Sequence, residues 1–212
     1  MLSIGTTVLI VVAGVGLIPL WYDDPEADAA RLEPLLALRP GATAAEVGAG
    51  RGRLAVALAA RLGPEGRVYA TEIEAGRRDD IRAAAERAGT RNLTVLEAGT
   101  ERTNLPPDCC DAVYLRRVYH HFTAPAALAA SLFEAVRPGG RLAVIDFAPG
   151  LWTFFLFRPA GVPEDRGGHG VPPAIVAREL QQAGFVLERR IDDWNWHEFC
   201  LVFRKQPSEA RP

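Results

Sequence analysis

Three glycines, Gly48, Gly50 and Gly52, alternate with other residues in Glu46-Val47-Gly48-Ala49-Gly50-Arg51-Gly52. An apolar run, Ala42 to Val47, leads into this stretch, and a helix-forming run, Leu54 to Ala60, leads out of it. Glycines at such a turn let the backbone approach a ligand closely, and the helix that follows offers N–H groups that have no partner within the helix. A second apolar run, Val68-Tyr69-Ala70, ends in an acid, Glu72, about twenty residues past Gly52. A carboxylate there has two acceptor oxygens for two neighbouring ribose hydroxyls. The chemistry is that of holding a nucleotide-type ligand at a strand-to-helix turn.

The glycine spacing narrows the ligand. It lacks the G-x-G-x-x-G phosphate fingerprint, so a ligand without a pyrophosphate fits better than NAD(P), which stands as the alternative. Farther along, Arg116-Arg117-Val118-Tyr119-His120-His121-Phe122 places two imidazoles after a candidate strand. His120 and His121 are candidate catalytic groups, because a neutral imidazole can accept a proton from an attacking hydroxyl, thiol or amine. Equally, either ring can pack under the next helix, and Tyr119 reads as structural. No metal site is expected: no third ligand accompanies the histidines, and Cys109, Cys110 and Cys200 are too few and too poorly spaced for zinc or a disulfide framework. Adjacent cysteines rarely bridge, because the ring strains the peptide between them. The three read as reduced thiols in or near the core.

These residues need a scaffold. Strands are predicted at 43–47, 67–72, 93–97, 111–116, 141–146, 185–191 and 198–204, and helices at 52–62, 75–88, 125–136 and 173–183. Pro25 can open an earlier helix whose apolar face, Leu32, Leu35, Leu36 and Leu38, stops at Pro40-Gly41. Strands that alternate with helices imply a parallel sheet covered on both faces, and Leu142-Ala143-Val144-Ile145 has the apolar run of a central strand. Between Phe185–Ile191 and Glu198–Phe203 lie only residues 192–197, too few for a crossover helix, so this pair must be antiparallel. The expected fold is α/β: a doubly wound, mostly parallel seven-stranded Rossmann-like sheet that ends in an antiparallel hairpin, with an N-terminal hydrophobic helix.

The 212 residues suit one α/β domain, at 25–206, with a short tail at 207–212. Net charge is −2, so no global field recruits nucleic acid or acidic lipid. Lys205 is the only lysine among 24 basic residues, and the arginines are scattered, as coding bias would leave them. Residues 1–24 differ in kind, because Leu2 to Tyr22 carries no charged side chain. About 20 apolar residues in a helix cross a bilayer core, and Trp21 and Tyr22 fall where aromatic residues prefer the interface. A membrane anchor is the first reading. A buried core element and a signal peptide cleaved near Ala27-Asp28-Ala29 are the alternatives.

The order of these motifs resembles that of class I S-adenosylmethionine (SAM)-dependent methyltransferases, of the broad methyltransferase-11 and quinone-biosynthesis-like kind. Residues 46–52 match the family's acid-x-G-x-G-x-G motif, Glu72 its ribose-binding acid, and residues 111–116 its fourth strand. Val136-Arg137-Pro138-Gly139-Gly140-Arg141-Leu142 matches the turn before its fifth strand, and the final hairpin its sixth and seventh strands. The resemblance implies S-adenosyl-L-methionine as cofactor, held by Glu46, Gly48, Ala49, Gly50, Gly52 and Glu72. Many relatives place an acid after the third strand for the adenine amino group. Here the stretch reads Glu97-Ala98-Gly99-Thr100-Glu101, so Gly99 and Thr100 with backbone groups, or else Glu101, would serve it.

The resemblance further implies that the interval after the fifth strand, residues 147–172, covers the acceptor. It holds Trp152, Phe154, Phe155 and Phe157 and then Gly167-Gly168-His169-Gly170, with Arg158 and His169 as candidate acceptor contacts. So aromatic a run suits a small apolar or lipid-like acceptor or contact with a bilayer; a loop packed on the core is the plain alternative. The expected activity is methyl transfer by direct displacement, with an NAD(P)-binding reductase or a catalytically silent SAM-binding protein as alternatives. SAM is made in the cytosol, so the domain is expected to face the cytoplasm from a membrane anchor, with export as the alternative.

Overall fold

The computed structural model describes residues 24–149, 160–166, 170–195 and 197–207. Seven described strands form one sheet: β1 (Thr43–Val47), β2 (Arg67–Glu72), β3 (Leu93–Glu97), β4 (Cys110–Arg116), β5 (Val136–Phe147), β6 (Phe185–Asn195) and β7 (Glu198–Lys205). Their order is β3-β2-β1-β4-β5-β7-β6. The first five run parallel, and β7 inserts antiparallel between β5 and β6. Helices α1 (Pro25–Leu35), α2 (Arg53–Leu62), α3 (Ala75–Arg87), α4 (Pro125–Ala135) and α5 (Pro173–Gln182) complete the described elements longer than a single turn.

Side-chain alternation along the strands divides the core into two layers. Ala44, Ala70, Ala112, Tyr114 and Ala143 face a layer with Leu32 of α1, Leu58 and Leu62 of α2, and Ile81 of α3. Their neighbours Ala45, Val113, Leu115 and Val144 face the other layer, with Leu128 and Leu132 of α4 and Val176 and Leu180 of α5. Four alanines on the first face let α1 and α2 sit close to the sheet. Each fully buried leucine in either layer contributes about 1.5–3 kcal/mol.

Helix starts follow local chemistry. The Asp24 carboxylate accepts from the Ala27 N–H at 3.0 Å, and proline opens α1, α4 and α5, where its missing N–H costs nothing. Strand ends depart from the sequence expectation at two places. Val136 already pairs with Cys110 before the register shifts toward Ala112↔Arg141, so β5 starts at Val136 and α4 stops at Ala135. The final hairpin is tighter than expected, because β6 continues to Asn195 opposite Glu198 through a register shift after Ile191. Trp194, 2% exposed, lies in this extension, and its burial with the α1–α3 layer keeps the chain extended.

The strand order defines where a ligand can enter. Chain from β1 passes to β2 on one side, and the sheet later resumes with β4 on the other, so a crevice opens beyond the carboxyl end of β1. The hydrophobic helix expected within residues 1–24 lies, save for Asp24, outside the described residues, as do Trp152, Phe154, Phe155, Phe157, Arg158 and His169. Among the described residues no helix is long and apolar enough to cross a membrane.

Candidate active site

β1 ends at Val47, and the chain turns at once. Gly48 has φ +73°, and a Cβ there would lie 2.5 Å from Cγ2 of Val118, so only glycine fits. The Gly48 and Ala49 N–H groups both donate to the Thr71 carbonyl, at 2.9 and 3.0 Å, which ties the turn to the end of β2. Gly52 has φ +74° and abuts Ile81 of α3, leaving 2.8 Å to Cγ2 for any Cβ; α2 begins at the next residue. Thus two of the three glycines are required by packing alone.

Glu72, at the last position of β2 and 7% exposed, reaches the turn. Its Oε2 accepts from the Gly50 N–H at 2.8 Å, and its Oε1 from the N–H groups of Ile73 and Glu74 at 2.9 and 3.2 Å. Arg78 of α3 donates to the Glu72 carbonyl at 3.1 Å and reaches Glu97 of β3 at 3.4 Å, so the ends of β2 and β3 are held together. Glu46 is also buried, with the Tyr114 hydroxyl 3.4 Å from its Oε2. Burial, and then the Glu46 carboxylate, push the Tyr114 phenol well up, so it stays a protonated donor.

A cavity of about 430 Å³ opens at this edge of the sheet. Its walls include Gly48, Glu72, Gly99 and Thr100 from the turn and the ends of β2 and β3, and Arg117, His121 and Phe122 from beyond β4. The volume lies within the range of small-ligand sites. Of the candidates after β3, Thr100 borders the cavity, whereas Glu101 is exposed and does not. Glu46, Ala49, Gly50 and Gly52 shape the turn without lining it. A larger hollow, about 860 Å³, lies at the opposite end near Gly63, Arg67 and Arg91. It holds none of the motif residues and sits at the amino ends of the strands, where open α/β sheets do not place ligands.

The two histidines part company. His120, in a short 3-10 turn after β4, is 3% exposed. Its Nδ1 lies 2.6 Å from Oδ1 of Asp146, and its backbone N–H donates to Oδ2 of the same carboxylate at 3.0 Å. Asp146 Oδ1 also accepts from the Phe147 N–H at 2.8 Å, so one buried acid clips the ends of β4 and β5 together. His121 is exposed, stacks on His120 with ring centroids 3.9 Å apart, and borders the cavity. Tyr119, read as structural from sequence, is buried and donates to Oε2 of Glu179 at 2.9 Å; Glu179 also binds the buried Arg166.

Sequence reasoning missed Asp146, Arg117 and Glu198. Asp146 ends an apolar strand just as Glu72 does, and that pattern could have found it. Arg117 adopts φ +58°, donates its N–H to the Ile145 carbonyl at 2.8 Å, and pairs through Nε with the buried Glu198, which also accepts from Asn195 at 3.0 Å. Behind this pair, Asp28 of α1 binds Arg116 at 2.9 Å and the Trp194 indole N–H at 3.0 Å. Burial raises the Asp28 carboxyl above its ordinary value, and Arg116 opposes that only in part. No sequence pattern links residues so far apart.

Comparison with known proteins agrees with this geometry. Residues 45–144 match the "Methyltransferase domain" family. The ubiquinone/menaquinone biosynthesis C-methyltransferase UbiE of Bordetella parapertussis is 31% identical over 114 residues, which is 53% of this chain and 43% of that protein. The chain therefore spans under half the length of this curated relative. A SAM-dependent methyltransferase of Aquifex aeolicus superposes with a TM-score of 0.67 at 20% identity, over 87% of this chain and all of that one. A geranyl diphosphate methyltransferase in complex with SAM superposes with a TM-score of 0.69 at 13% identity, over 85% of each chain. Sheet order, the glycine turn and the family match over residues 45–144 together support the fold of a class I SAM-dependent methyltransferase. S-adenosylmethionine is the cofactor of this class, which displaces the NAD(P) alternative.

Proposed function

We propose that this protein transfers the methyl group of SAM to a small, apolar or lipid-like acceptor by direct displacement. The observation that carries the reading is the single cavity bordered by Gly48 and Glu72 from the cofactor motifs and by His121 and Phe122 from the far side of the crevice. Bound SAM supplies a methyl group already activated on a sulfonium, so the protein's work is alignment and exclusion of water. The residues present fit this ligand. Gly48 admits no side chain that would block backbone approach, and Glu72 offers its remaining lone pairs to the ribose hydroxyls. Gly99 and Thr100 border the same cavity for the adenine.

On the acceptor side, His121 is the candidate base, since it borders the cavity where His120 does not. His120 and Asp146 act as positioning residues, holding the turn that presents His121. Arg117 places a cation at the cavity wall that can stabilise oxygen charge developing on an acceptor. UbiE is named for the biosynthesis of quinones, and an apolar ring acceptor suits the aromatic stretch Trp152 to Phe157. In the same reading, Leu2 to Tyr22 anchors the domain to a membrane with its catalytic face in the cytoplasm.

Incubation of the full chain with methyl-labelled SAM and separated lipid, protein, nucleic-acid and small-molecule fractions tests this. Label in the lipid or small-molecule fraction is expected. Label confined to nucleic acid or protein would contradict the acceptor class, and SAM binding without any transfer would mark a silent binding protein. Protease accessibility in spheroplasts tests the topology.

A further inference from the structure

Cys109 and Cys110 occupy the amino end of β4, a strand's length of about 20 Å from Arg117 and the cavity. Both thiols are free, and their Sγ atoms lie 2.7 Å apart. Cys110 is fully buried and Cys109 half-buried, so the pair presents one sulfur outward with a second directly behind it. Consecutive residues in a regular strand point to opposite faces. Cys109 lies just before β4, outside the regular strand, so its side chain need not alternate with that of Cys110, and the fold holds this bend. Asp108 has φ +50°, its N–H donates to the Glu134 carbonyl at 2.8 Å, and its carboxylate accepts from Lys205 Nζ at 2.8 Å. On the other flank the register between β4 and β5 shifts between Cys110 and Ala112.

The two sulfurs are chemically unequal. The hydrogen bond between the two thiols lowers the Cys109 thiol below its ordinary range and, together with burial, pushes Cys110 up. The accessible sulfur is thus the better nucleophile. Closing a disulfide between neighbours would strain the intervening peptide. A linear two-coordinate soft cation needs sulfurs on its opposite sides, which adjacent residues this close do not provide. A pyramidal thiophilic centre bonds two sulfurs at a narrow angle and fits.

We propose that Cys109 and Cys110 form a vicinal dithiol site for trivalent arsenicals, separate from the methyltransferase cavity. With a monosubstituted arsine oxide, R–As=O, two As–S bonds form, both arsenic–oxygen bonds break, and the two thiol protons leave with the oxygen as one water. Neither arsenic nor sulfur changes oxidation state.

The test is intact-mass analysis of the full chain incubated with phenylarsine oxide in excess monothiol. One phenylarsenic group per chain is expected, removed by 2,3-dimercaptopropanol, retained in Cys200→Ser, and lost in Cys109→Ser and Cys110→Ala. Cys109→Ser changes a half-buried position, so it reports on the site even where a change at Cys110 prevents folding. Circular dichroism and S-adenosylhomocysteine binding of the loaded protein should match those of the free protein. No uptake by the wild type, uptake that persists in Cys109→Ser, or uptake that requires loss of helix signal would overturn the proposal.

Discussion

The Glu72 carboxylate bridges the end of β2 to the glycine turn, with Oε2 2.8 Å from the backbone N of Gly50. The acid therefore does two jobs with one group: it fixes the turn and faces the cavity. Hydrogen bonds to a charged acceptor contribute about 1.5–3 kcal/mol each. Glu72→Gln should weaken S-adenosylhomocysteine binding about 10- to 100-fold, on the scale of about 1.4 kcal/mol per factor of ten. Isothermal calorimetry on both proteins checks this, and an unchanged affinity would remove Glu72 from the ribose site.

Gly48 and Val118 are in direct conflict with any side chain at position 48. Gly48→Ala should cost about 2–5 kcal/mol, from the left-handed backbone and from overpacking. Adding Val118→Ala should recover the overpacking share, about 1–3 kcal/mol, and leave the backbone share. Urea denaturation of both single variants and the double variant measures that coupling.

His121 and the His120–Asp146 clip should respond differently to substitution. His121→Ala should lower methyl transfer about 100-fold or more while S-adenosylhomocysteine affinity stays unchanged, as loss of a general base would. Asp146→Asn should instead cost about 1–3 kcal/mol of stability, because the clip between the ends of β4 and β5 loses its charge-assisted partners. Labelled-methyl turnover and thermal denaturation separate the two outcomes.

The Asp28–Arg116 pair predicts a pH dependence. Asp28 is raised in the folded state by burial, so the folded chain holds this proton more tightly than the unfolded chain, and its contribution to stability falls as pH rises through the folded value. Arg116→Met removes the opposing charge and raises Asp28 further. The loss should reach about 3–5 kcal/mol at neutral pH and shrink below about pH 3, where the carboxyl is neutral in both states. Urea denaturation at the two pH values shows whether the loss shrinks.

Much of the fold could be read along the chain, because local signals coincided with tertiary ones. The helices predicted from 125 and 173 begin at Pro125 and Pro173, and the apolar run at 142–145 became part of the interior strand β5. Glu72 was legible for the same reason: an acid that ends an apolar strand stands out. Asp146 carried the same signal but was overshadowed by the paired histidines beside it in function. The Arg117–Glu198 and Asp28–Trp194 contacts left no local trace, since the first forms only when the hairpin joins the sheet and the second only when α1 packs against that hairpin. The extension of β6 was illegible too, because it depends on burying Trp194 against α1.

Calorimetric titration of the full chain with S-adenosylhomocysteine tests the central claim most directly. The predicted result is saturable binding of one molecule per chain, weakened by Glu72→Gln and unaffected by His121→Ala. Absence of binding, or preferential binding of NADPH with the same Glu72 dependence, would contradict it.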